Sequence, residues 1–188
     1  MAEEKKEDLP MRRTLTLLLI GIVGWTAAVS AQVLQPGSLA PVADGQVRAN
    51  EYSLKATYSG MNLSASLSED GNTLYVALEA PTKGWVSIGL GSLRMDGTFM
   101  VLGYDAAGKP FISENTGKRH SHKLNASNIL TAEAVKEEGE ATVLEFAVGA
   151  RKFIFDKTLK LIIGYGTKDN FTSKHKRYAK VELPVEGI

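Results

Sequence analysis

Asn62-Leu63-Ser64-Ala65-Ser66-Leu67, then Glu69-Asp70-Gly71-Asn72, then Thr73-Leu74-Tyr75-Val76-Ala77-Leu78: two runs of alternating side chains flank a stretch built for a turn. Alternation with a period of two puts successive residues on opposite faces of an extended chain, which suits a strand with one face in a core. Gly supplies the backbone freedom of a tight turn, and Asp and Asn bond their own backbone there. The stretch therefore predicts a β-hairpin.

The same pattern continues outward. Pro81-Thr82-Lys83-Gly84 turns the chain into a strand at Trp85-Val86-Ser87-Ile88-Gly89-Leu90. Thr98 to Tyr104 is almost continuously apolar and predicts a strand buried on both faces. Asp105-Ala106-Ala107-Gly108 then turns the chain into Pro110-Phe111-Ile112-Ser113, and further strands are expected over 141–148, 158–165 and 177–183. Glu133, Glu137, Glu138 and Glu140 read as a solvated edge and turn, and Arg151 to Lys157 as one short turn at most. Strands about ten residues apart, with Gly, Asn and Asp at the corners and no capped helical pattern, predict an all-β fold, an antiparallel β-sandwich.

The 188 residues have room for one domain and a short extra segment. Met11-Arg12-Arg13, an apolar run from Leu15 to Val29 and Val29-Ser30-Ala31 follow the order of a signal peptide, with cleavage expected after Ala31. The alternative is an uncleaved membrane anchor helix, for which the run is short. The acidic stretch before Met11 is unusual in a signal and is consistent with translation starting at Met11. A signal or anchor over 1–31, a Pro- and Gly-containing linker over 32–43 and a domain over 44–188 imply a periplasmic or secreted protein.

Net charge is +1, and residues 1–31 carry four basic and four acidic side chains, so the remainder keeps that value. Without a basic excess no nucleic-acid partner is expected. No cysteine is present, which excludes disulfides, thiolate metal sites and a thiol nucleophile. The Ser, His and Gly patterns of common hydrolases and the phosphate-binding loop are missing too, so the chain does not read as an enzyme.

Any metal or haem ligand must come from His, Met, Asp, Glu, Tyr or Lys. His120 and His122 form an H-x-H pair in Gly117-Lys118-Arg119-His120-Ser121-His122-Lys123. On a strand both rings would share a face, but the flanking cations oppose a divalent ion, and both read as solvated surface residues. His175, after an apolar strand and a turn, and Met95, after Ser92-Leu93-Arg94, are unremarkable on spacing alone. Asn62-Leu63-Ser64, Asn125-Ala126-Ser127 and Asn170-Phe171-Thr172 match glycosylation acceptors, which matter only in a eukaryotic secretory path.

Their surroundings add more. Gly84-Trp85-Val86-Ser87-Ile88-Gly89-Leu90-Gly91, followed by Met95-Asp96-Gly97 and the apolar run to Tyr104, resembles the centre of DOMON domains. Ile163-Gly164-Tyr165-Gly166, Asp169, Phe171 and His175 are similar to the late part of that family, and Asp44-Gly45 with Glu51-Tyr52 to its opening. The resemblance spans about residues 43 to 183. It implies a DOMON-like sandwich of immunoglobulin-like architecture whose haem-binding members hold haem b between a methionine and a late histidine, here Met95 and His175. Lysine serves as a ligand in some relatives, so Lys174 or Lys176 is the alternative to His175.

A thioether and an imidazole together close both axial positions of iron, which favours electron transfer over oxygen activation. The expected function is single-electron transfer with a redox partner, membrane-bound or soluble, docking on the basic strip from Lys168 to Lys180. The competing expectation is a non-haem module binding a carbohydrate or other small ligand, with Trp85, Tyr104 and Tyr165 as platforms. Trp85 also reads as an ordinary core tryptophan.

Overall fold

The computed structural model describes residues 32–188, and the expected signal or anchor segment lies outside them. Twelve strands run in chain order: β1 (Leu54–Tyr58), β2 (Met61–Leu67), β3 (Thr73–Ala80), β4 (Val86–Leu90), β5 (Phe99–Asp105), β6 (Pro110–Lys118), β7 (Ser121–Leu124), β8 (Leu130–Glu138), β9 (Ala141–Gly149), β10 (Ile154–Phe155), β11 (Thr158–Tyr165) and β12 (Arg177–Pro184). A single 3-10 turn, Ala150–Lys152, is the one helical element among them. No helix of the described residues is long and apolar enough to cross a membrane.

The strands form an antiparallel β-sandwich. One sheet has the order β1-β2-β3-β9-β8, and the other β10-β11-β4-β5-β6-β7 with β12 along the free side of β11. The hairpin of the opening stretch is β2 and β3, paired from Asn62↔Glu79 to Leu67↔Leu74. Leu63, Ala65 and Leu67 of β2 and Leu74, Val76 and Leu78 of β3 enter the core, where they meet Val86, Ile88 and Leu90 of β4 and Leu161 and Ile163 of β11. Gly103 of β5 faces inward, where a Cβ would press on Leu144 and Val135 of the opposite sheet.

Residues 34–36, expected within a linker, pack against the sandwich. Leu34 is fully buried and bridges Val185, and Pro36 bridges Leu67. The segment that follows is tied down by Glu145, which is fully buried on β9. Its Oε2 accepts the backbone N–H groups of Asp44, Gly45 and Gln46, and its Oε1 accepts the Tyr52 hydroxyl at 2.8 Å. Four donors on one carboxylate satisfy a charge that would be costly if buried alone. Burial first, and the neighbouring Glu145 carboxylate second, push the Tyr52 phenol far above its ordinary range.

Candidate functional site

The face of the seven-stranded sheet that points away from the core is where the family-like motifs meet. Because Val86, Ile88 and Leu90 point inward, Ser87 and Gly89 of β4 point outward. By the same alternation β5 turns Met100, Leu102 and Tyr104 outward, and β6 Phe111, Ser113, Asn115 and Gly117. An outward face normally meets water, yet Ser87, Met100 and Leu102 are buried. Two loops lie over it, residues 91–98 between β4 and β5 and residues 166–176 between β11 and β12.

Met95 sits in the first loop, half-buried, directly above β6. The loop is bound there by Gly97 N–H to Gly117 O at 2.9 Å and Gly117 N–H to Thr98 O at 2.9 Å, and the Thr98 hydroxyl donates to Arg94 O. The approach is so close that a Cβ on Gly117 would run into the Met95 carbonyl oxygen. The M-x-G turn thus needs a glycine on the strand beneath it.

The second loop leaves β11 beside Trp85, which is 6% exposed. Gly166 N–H donates to Trp85 O at 2.9 Å and Trp85 N–H to Lys168 O at 3.2 Å, and a Cβ on Gly166 would strike the indole. The Trp85 ring donates through Nε1 to Ser173 Oγ at 2.8 Å. Further along, the Phe171 ring meets Tyr104 edge-on with centroids 4.9 Å apart, while Tyr104 stacks on Phe111 at 4.9 Å. The loop therefore runs across the outer face from β11 toward β6 and β7.

At its far side it meets His122, which is half-buried on β7 opposite Gly117. This corrects the expectation that His122 is a solvated surface residue; His120, in the turn, is exposed as expected. The His122 ring lies between two acceptors, with Nδ1 3.0 Å from Asn115 Oδ1 and Nε2 2.8 Å from Phe171 O. Asn115 is oriented by its own Nδ2, which donates to Ser113 O at 3.0 Å, so its oxygen faces the imidazole. The Phe171 carbonyl can only accept, so Nε2 carries a hydrogen and donates to it.

His175 is exposed at the other end of the same loop, with its ring edge-on to Tyr178 of β12 at 5.1 Å and without a hydrogen bond among the described residues. Lys174 and Lys176 are exposed beside it, and Lys176 N–H donates to Tyr165 O at 2.7 Å. β12 and β6 are four strand spacings apart, which is about 19 Å at the usual interstrand distance. The structure thus places Met95 and His175 on loops over one face but does not bring them together; the histidine beside the Met95 loop is His122. The donor types, a thioether and an imidazole, suit haem, and joining them on one iron needs the loop carrying His175 to move inward over the face.

Trp85 and Tyr165 are 6% and 2% exposed, so neither offers a face to a sugar ring. Tyr104 is half-buried between Phe111 and Phe171. Two open depressions, of about 230 and 330 Å3, lie around Asn62 and Glu79 on the other sheet, away from both loops. Among the described residues no group of three or more His, Asp or Glu is arranged to hold a bare metal ion.

No protein-family model matches the chain, and no curated protein matches it in sequence. Solved structures do. The cytochrome b domain of pyranose dehydrogenase from Coprinopsis cinerea aligns with a TM-score of 0.50 at 12% identity, over 66% of this chain and 76% of that one. The cytochrome domain of cellobiose dehydrogenase from Myriococcum thermophilum aligns with a TM-score of 0.54 at 11% identity, over 67% and 75%. At these identities the likeness is one of fold: the described chain is an antiparallel β-sandwich like those of cytochrome b domains.

Proposed function

We propose that this domain is an exported DOMON-type electron-transfer module that holds haem b with Met95 and His175. The observation that carries the reading is the coincidence of two things. The fold is shared with two cytochrome b domains, and the family-like M-x-G turn and late histidine lie in the loops 91–98 and 166–176. Bound haem supplies the one-electron couple.

The chain's own residues supply the setting. Met100 and Leu102 give an apolar floor, and the small side chains at Ser87, Gly89 and Gly164 keep the centre of the sheet low. Met95 is the thioether donor, seated by Gly117; His175 is the imidazole donor, with Lys174 or Lys176 as its alternative. Thioether ligation raises the potential relative to two imidazoles. Lys168, Lys174, Lys176, Arg177 and Lys180 are exposed and make no ion pair among the described residues. They form a basic docking strip for an acidic redox partner. The carbohydrate-binding alternative loses Trp85 and Tyr165 as platforms because both are buried.

The test is a titration of the purified haem-free full chain with haemin, followed in the Soret region. The reading predicts a saturable band at one haem per chain. A spectrum no different from free haemin overturns it.

A further inference from the structure

Residues 166–176 are fastened to the outer face at three places: Ser173 under the Trp85 indole, the Phe171 ring against Tyr104, and the Phe171 carbonyl on His122. The first two are contacts within reach of β4 and β5. The third is different, because it reaches to β7 near the sheet edge, joining residues 49 apart in sequence. It is also the one of the three made to a backbone carbonyl, which can only accept, so the ring donates to it through Nε2. The other ring nitrogen is anchored on Asn115, itself held by Ser113 O and Ser113 Oγ. His122 therefore joins a rigid strand pair to the middle of a loop whose end carries His175.

We propose that residues 166–176 are a strap and that His122 is its latch, a positioning residue that holds the strap closed across the face. Resting on the haem reading above, the inference identifies what opposes loading of that site. With the latch made, the Phe171 ring covers Tyr104 and His175 stays beside Tyr178. For His175 to move toward Met95 the middle of the strap must leave β7. Loss of the latch then opens the strap and speeds haem entry.

Hydrogen exchange followed by mass spectrometry on the haem-free full chain reads the strap without reference to haem. In His122→Ala the amides of residues 167–176 are expected to exchange about tenfold faster than in the parent, the scale of one hydrogen bond, while β2, β3 and β9 are unchanged. His122→Gln keeps one donor toward Phe171 O and is expected to restore part of the protection. Unchanged exchange in the strap overturns the latch. Stopped-flow haemin uptake is the second arm, with faster association expected in His122→Ala. Slower association, or weaker retention, means that His122 belongs to the loaded state, and also overturns the inference. Faster exchange in a chain that takes up no haem in either form keeps the latch and removes the haem reading instead, so the two failures are separate.

Discussion

Single residues in this chain settle whether charge can be buried. Glu145 is the clearest case: a carboxylate with no solvent exposure, satisfied by three backbone N–H groups and the Tyr52 hydroxyl. Tyr52→Phe removes one of those donors without changing the shape of the ring. It should lower the unfolding free energy by about 2 kcal/mol, the usual cost of losing a hydrogen bond to a buried charged group, read as a lower urea midpoint with unchanged slope. The tyrosine also predicts the alkaline behaviour. Its phenol is raised in the folded chain, so the unfolded chain loses that proton first. The contribution is complete below the ordinary phenol range, near 10, and declines as pH rises beyond it. The parent and Tyr52→Phe should therefore converge in stability at high pH. Asp105 is the opposite case, because its Oδ1 is buried with no partner among the described residues.

Elements show why part of the molecule was legible from residues alone. The β2–β3 hairpin is local, and its turn chemistry is written in adjacent residues: Asp70 accepts from the Ser68 hydroxyl, the Asn72 backbone and the Asn72 amide. Those bonds, the Ser68 one foremost, hold the Asp70 carboxyl down at about 2. A lowered folded value gives stabilisation that is present above the unfolded carboxylate range and lost as pH falls toward that figure. The turn amide of Asn72 should accordingly lose protection on acidification from about pH 4 downward, and not in Asp70→Asn; a turn indifferent to acid contradicts this. β8 was hidden because it is an edge strand whose outward positions are charged, so its sequence reads as a solvated run; only β9 pairs with it. β7 was hidden behind its cations. At the proposed site, Met95 and His175 are named by the motif resemblance, whereas His122 reads from sequence only as half of an exposed H-x-H pair. Its role depends on Phe171, which the chain brings over the sheet only once β11 and β12 have paired. Trp85 likewise reads as either platform or core; it is buried, but beneath the strap on the outer face and not between the sheets.

On the scale of the whole molecule, two features govern how it would work with others. The strip of exposed cations from Lys168 to Lys180 lies on and beside the strap, so the docking proposed for it and access to the face would share one side of the sandwich. Exposed charges act over a Debye length of about 8 Å at physiological salt. Association with an acidic partner should slow as ionic strength rises, with dissociation nearly unaffected; a salt-independent association rate assigns docking to another surface. The fold itself is the part shared with known cytochrome b domains.

The most direct measurement is the low-temperature electron paramagnetic resonance spectrum of the haem-loaded ferric chain, taken beside Met95→Ala and His175→Ala. The account predicts a low-spin six-coordinate signal in the parent and a high-spin signal in each variant, since each loses one axial donor. A parent that is high-spin, or variants that both keep the parent signal, would show that these two side chains do not hold the iron.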